Sequence, residues 1–101
     1  MGTTSLQAVI RIEIILPQDA MAEATGKLDA LGVTGYSIIE DVLGRGERGL
    51  RAGIGLGVFQ YQYLLVACEA DQVGPITEMA GPYLRRFGGL CLVSEAQRVV
   101  G

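Results

Sequence analysis

From Leu6 to Leu16 apolar and polar positions alternate. Leu6, Ala8, Ile10, Ile12, Ile14 and Leu16 fall on one side of an extended chain, and Gln7, Arg11 and Glu13 fall on the other. This period of two is that of a strand with one buried face. Pro17 ends it, and after Gln18-Asp19 the apolar positions Met21, Ala24, Leu28 and Leu31 recur at helical spacing. They predict a helix of about three to four turns, closed by Gly32. Gly35 marks a turn, and Tyr36 to Leu43 reads as a second strand. Residues 44–57 sustain neither period: six of the fourteen are glycine and three are arginine, which predicts a long flexible loop. Val58 to Glu69 is a third strand, with Phe59, Tyr61, Tyr63 and Leu65 on one face and Gln60, Gln62 and Leu64 on the other. Asp71 is placed to cap a second helix, with Pro75 in its first turn and Val73, Ile76, Met79, Ala80, Tyr83, Leu84 and Phe87 at helical spacing. Gly81-Pro82 within it predicts a kink or a split. After Gly88-Gly89, Leu90 to Val100 is the last strand.

The order βαββαβ carries a weak internal repeat, in which residues 31–40 echo residues 87–95. Right-handed crossovers applied to it give an α+β, ferredoxin-like sandwich: a four-stranded antiparallel sheet with both helices on one face. At 101 residues, half of them hydrophobic, the chain suits a single domain spanning 1–101. Tyrosines and leucines on both faces of the third strand ask for a cover on the far side of the sheet. Another subunit is the expected cover.

Charge and chemistry narrow the function classes. The net charge of −3 argues against bulk attraction to nucleic acid. No apolar run approaches the roughly 20 residues that span a bilayer, and the N-terminus has no basic region of the secretory kind, so a cytoplasmic location without membrane insertion is expected. With no histidine and only Cys68 and Cys91, a Cys/His zinc site and the histidine-dependent triads are excluded within one chain. The two cysteines sit on strands expected about 9–10 Å apart, beyond disulfide reach. Glu40-Asp41 points to opposite sides of a strand and makes no acid/base pair. The chain reads as a non-enzyme without a metal. Seven of its eight cationic residues are arginine, and Arg45, Arg48 and Arg51 recur every third residue in the glycine-rich segment. A guanidinium fork suits carboxylate and phosphate, so this cluster is a candidate anion clamp, against the simpler reading of a solvated loop.

Leu-Gly-Val-Thr-Gly-Tyr-Ser at 31–37, entering the second strand, and Gly44-Arg45-Gly46-Glu47-Arg48-Gly49, opening the long loop, resemble the PII signalling family and its shorter PII-like relatives. With the Gly-Gly turn before the fourth strand, the resemblance covers essentially the whole chain. It implies a homotrimer that binds adenine nucleotides at clefts between subunits, with the long loop sensing ligand and contacting a target protein. Gly35, Tyr36 and Ser37 then match positions approaching the nucleotide from one subunit. Gly44 and Gly46 match the loop-base glycines of the other, and Gly88 and Gly89 the phosphate-side turn. Leu90 stands where longer members have a phosphate-binding lysine, which leaves Arg45, Arg48, Arg51, Arg85, Arg86 or Arg98 to meet phosphate charge. The loop lacks the tyrosine that longer members modify. These departures point to the branch linked to inorganic carbon: ADP or AMP as ligand, ATP less so, bicarbonate as co-ligand on the arginine loop, and a target such as a bicarbonate transporter or carbon-fixation component of the carboxysome kind. The alternatives are a nitrogen-regulatory sensor of the longer type and a structural or metal-tolerance trimer of the same fold. Several of these residues also have plainer readings: Arg85-Arg86 suits a helix dipole, Gly88-Gly89 a helix cap, and Tyr61 and Tyr63 an interface or core.

Overall fold

A computed structural model describes residues 2–33, 35–43, 45–46, 49–50 and 60–101. In chain order it holds β1 (Ser5–Pro17), α1 (Gln18–Ala30), β2 (Tyr36–Val42), β3 (Arg45–Gly46), β4 (Gly49–Leu50), β5 (Tyr61–Cys68), α2 (Ala70–Phe87) and β6 (Leu90–Val100). The four long strands form one sheet in the order β2-β5-β1-β6, and every neighbouring pair is antiparallel. The fold is the expected α+β, ferredoxin-like sandwich.

Period-two alternation decides which side of each strand meets the helices. Ile12 and Ile14 of β1 lie beside Val66 and Leu64 of β5, so these four share one face, and all are fully buried. Met21, Ala24 and Leu28 of α1 and Ile76, Ala80 and Tyr83 of α2 close over them to form the core. Leu6 and Ala8, assigned by alternation to the same side, are exposed. The reason is length: β5 ends at Cys68, opposite Ile10, so residues 5–9 of β1 run on with β6 alone, past the core.

The end of α1 is fixed as its glycine predicts. Gly32, at φ 81°, donates to the Asp29 carbonyl, and Val33 donates to the Leu28 carbonyl, both at 3.0 Å. This is the Schellman arrangement, and buried Val33 and Leu28 supply its apolar contact. The second helix departs from expectation at two places. It starts earlier, with Glu69 rather than Asp71 as N-cap, and Gln72 Oε1 accepts the Glu69 N–H at 3.0 Å as one arm of a capping box. It also runs unbroken through Gly81-Pro82. A proline disfavours helix in the preceding residue partly through that residue's Cβ, which Gly81 lacks. Buried Ala80 and Tyr83 on either side then hold the helix to the core.

A third departure lies within the segment 44–57, expected to be loop throughout. There Arg45 pairs with Leu50 and Gly46 with Gly49, making a two-stranded ribbon. Gly44, Glu47, Arg48 and residues 51–59 lie outside the described residues. Cys68 and Cys91 are free, on strands that flank β1 opposite Ile10 and Ile14. Burial pushes both thiols up from their ordinary value, and for Cys68 the nearby Glu69 and Asp71 add to it.

Candidate functional site

Strand register spreads the candidate residues over several levels of the sheet. Leu90 lies opposite Ile15, and Arg98 lies opposite Gln7. Eight residues of β1 separate those levels, on the order of 27 Å. Gly88 and Gly89 accompany Leu90 at the end of the sheet where β2 leaves through Val42 toward the ribbon of Arg45 and Gly46. Tyr36 lies opposite Val66, itself opposite Ile12, and Ser37 opposite Leu65, itself opposite Glu13, so both fall between the two levels and nearer that of Leu90.

At the first end both glycines have structural duties. Gly88 caps α2 in the left-handed region at φ 72°, its N–H donating to the Leu84 carbonyl at 2.8 Å. A Cβ on Gly89 would stand 2.0 Å from the backbone oxygen of Ile15, so only glycine lets β6 start against β1. Leu90 begins that strand partly exposed. Arg85 and Arg86 occupy the last turn of α2, where cations suit the helix dipole, and the Arg86 guanidinium lies 5.0 Å from the Phe87 ring.

At the other end a cleft of about 420 Å³ brings Gly35 and Arg98 together with Val33, Cys68, Glu69 and Gln72. Arg98 reaches it from β6, its Nη1 lying 3.5 Å from Gln7 Oε1. A second cleft of about 480 Å³ adjoins it, sharing Val9, Cys68 and Glu69 and adding Ala8, Glu95 and Gln97. Glu69 and Gln72 escaped the sequence reading, although Glu-x-x-Gln ahead of an apolar helix is a capping signal. Tyr36 packs on the core, and its hydroxyl donates to Asp29 Oδ1 at 3.2 Å. Burial, and then that bond, raise its pKa above the ordinary phenol value.

The sheet face away from the helices carries a different chemistry. Tyr61 and Tyr63 both lie on this outer face, Tyr61 buried and Tyr63 donating to Glu13 Oε2 at 2.6 Å. That bond, and after it burial, push the Tyr63 phenol up. Arg11 Nε donates to Ser94 Oγ at 3.1 Å and lies 3.5 Å from Glu13 Oε1. Around this polar cluster stand apolar side chains in contact with solvent: Leu65 at 38%, Leu92 at 49% and Ile39 at 59% exposure. Neither tyrosine faces the cleft of Gly35 and Arg98. Among the described residues no group of acidic or cysteine side chains could hold a metal ion, and no helix is long and apolar enough to cross a membrane.

Comparison with known proteins adds a family and several solved relatives. The family model described as nitrogen regulatory protein P-II matches residues 9–100. The chain is 30% identical to CPII, a PII-like protein of Thiomonas intermedia K12 solved with ADP and bicarbonate, with a TM-score of 0.81 over 93% of this chain and 91% of that one. The same protein solved with ADP, AMP and bicarbonate gives 27% identity and a TM-score of 0.81 over the same shares of the two chains. A PII-like signalling protein of Thermus thermophilus, at 19% identity and a TM-score of 0.72, covers 93% of this chain and 92% of that one and shares the fold. No curated protein sequence matches the chain.

Proposed function

The chain belongs to the nitrogen regulatory protein P-II family, and from that premise we propose that it is a PII-like sensor. It works as a homotrimer that binds ADP or AMP in the clefts between subunits, with bicarbonate as co-ligand. One observation carries this reading. The glycine turn at 88–90 and Arg98 lie on the order of 27 Å apart along one sheet, so a ligand touching both takes them from two copies. The solved complexes of CPII with ADP and bicarbonate support the ligand class.

In this reading Gly88 and Gly89 offer backbone N–H groups to phosphate, since a left-handed residue after a helix makes a concave anion site. Their helix-capping and packing duties are what hold that turn still. Leu90 supplies no charge, and Arg98 from the neighbouring copy takes the place of the missing lysine. Gly44, Gly46 and the arginines Arg45, Arg48 and Arg51 close over the anion from the loop side. Meeting the ligand's charge there lets the segment report occupancy to a target protein of inorganic-carbon uptake or fixation.

Titration calorimetry with AMP, ADP and ATP, each with and without bicarbonate, on protein of measured mass tests the proposal. The expected result is a trimer that binds ADP or AMP more tightly when bicarbonate is present. Linkage then requires the nucleotide to tighten bicarbonate by the same factor. No heat from any nucleotide would overturn the reading.

A further inference from the structure

The outer sheet face poses a physical problem that the nucleotide clefts leave untouched. Leu65, Leu92, Ile39 and Ile15 give it apolar surface, yet Arg11, Glu13, Tyr63 and Ser94 sit among them as a connected polar patch. Glu13 is well supplied: its side chain is 25% exposed and accepts from Tyr63 while Arg11 lies beside it. Arg11 is less well supplied. Its Nε serves both Ser94 and Glu13, and its terminal Nη groups have no partner among the described residues. Its side chain is half exposed. A guanidinium carries five N–H donors in a rigid fork, so most of that capacity is unused among the described residues.

We propose that Arg11, Glu13 and Tyr63 form a register lock between copies of this chain, resting on the trimeric reading above. The occupant of the face is a second copy, because the patch carries both halves of a complementary pair. A guanidinium with unused donors lies next to a carboxylate with a further acceptor lone pair, so symmetry-related patches can satisfy each other. Apolar contact alone is non-directional and lets two sheet faces slide or rotate over one another. A buried charged pair admits only arrangements that keep every partner, and it is retained for specificity rather than for net stability. The Tyr63 bond holds Glu13 in the rotamer that receives Arg11, which makes Tyr63 a positioning residue. Correct register matters here because each nucleotide cleft takes its two halves from different copies.

The test measures assembly and ligand binding together. Wild type, Arg11→Met, Glu13→Gln and Tyr63→Phe are compared by native mass spectrometry and by ADP calorimetry, with circular dichroism confirming that each is folded. The lock predicts one mass for wild type. It predicts two or more oligomer masses for Arg11→Met and Glu13→Gln, with ADP affinity at least tenfold weaker, and a smaller loss for Tyr63→Phe. Folded variants that all keep the single wild-type mass and the wild-type ADP affinity would overturn the lock and leave the sensor reading standing. A monomeric wild type would overturn the trimeric reading, and the lock with it.

Discussion

The two faces of the sheet are built by the same strands, from alternate residues of similar kind, and they end in opposite states. Leu64 and Leu65 are neighbours on β5; Leu64 has no contact with solvent, and Leu65 keeps more than a third of its surface in it. The difference is the layer above. Met21, Leu28 and Ile76 cover the first face, while the helices of this chain leave the second open. Apolar alternation therefore records which side chains want cover and says nothing of where the cover comes from. The inner face answers within the chain. The outer face, with its polar patch, finds no such cover among the described residues.

That contrast can be broken from the inner face outward. Leu64→Ala should remove about 2–5 kcal/mol of chain stability, as deletions in a closed core do, measured by chemical denaturation. Gly89→Ala comes next, at about 1–3 kcal/mol, since the added Cβ meets the rigid Ile15 backbone and pushes β6 off β1. It should also weaken ADP binding, read by calorimetry. Leu65→Ala should change chain stability by no more than about 0.5 kcal/mol, as at an open surface, yet weaken association, seen as a lower sedimentation coefficient on dilution. Equal losses from Leu64→Ala and Leu65→Ala would erase the distinction between the faces. The smallest effect is the Tyr63 titration. Its phenol is held above the ordinary value of 10.0, so the folded state favours the neutral form. That contribution is complete below the unfolded pKa and is lost as pH rises through the higher folded one. Ultraviolet titration of wild type against Tyr63→Phe should show one tyrosine ionising late.

Where one force acts alone, the sequence is a good guide. The last strand falls at Leu90–Val100 as its pattern predicts, and α1 stops where Gly32 allows the left-handed turn. The sequence misleads where local chemistry competes with tertiary contact. Asp71 has good capping chemistry but loses to Glu69, whose partner Gln72 closes a reciprocal box. Pro82 carries a strong helix-breaking signal, weakened by the glycine before it and outweighed by the buried residues around it. The ribbon of Arg45–Gly46 with Gly49–Leu50 has too few residues for any period to declare itself. As for the candidate site, Gly35 and Arg98 are far apart in sequence, and only the sheet brings them to one cleft. Glycine and arginine composition points to both ends of the candidate site, but no pattern in the sequence tells that the turn at 88–90 and Arg98 stand eight residues of β1 apart.

One irregularity in β2 acts as a phase shift. Ile39 lies opposite Tyr63, but Val42 lies opposite Tyr61, so one extra residue is inserted between them, and Asp41 takes φ 59° to absorb it. Counted evenly from Tyr36, Val42 belongs on the helix side; after the insertion it stands on the side of Tyr61. The chain therefore leaves the sheet for the arginine segment half a turn away from where unbroken alternation would send it. Deleting Asp41 would shorten the strand by a single residue and return Val42 to the helix side.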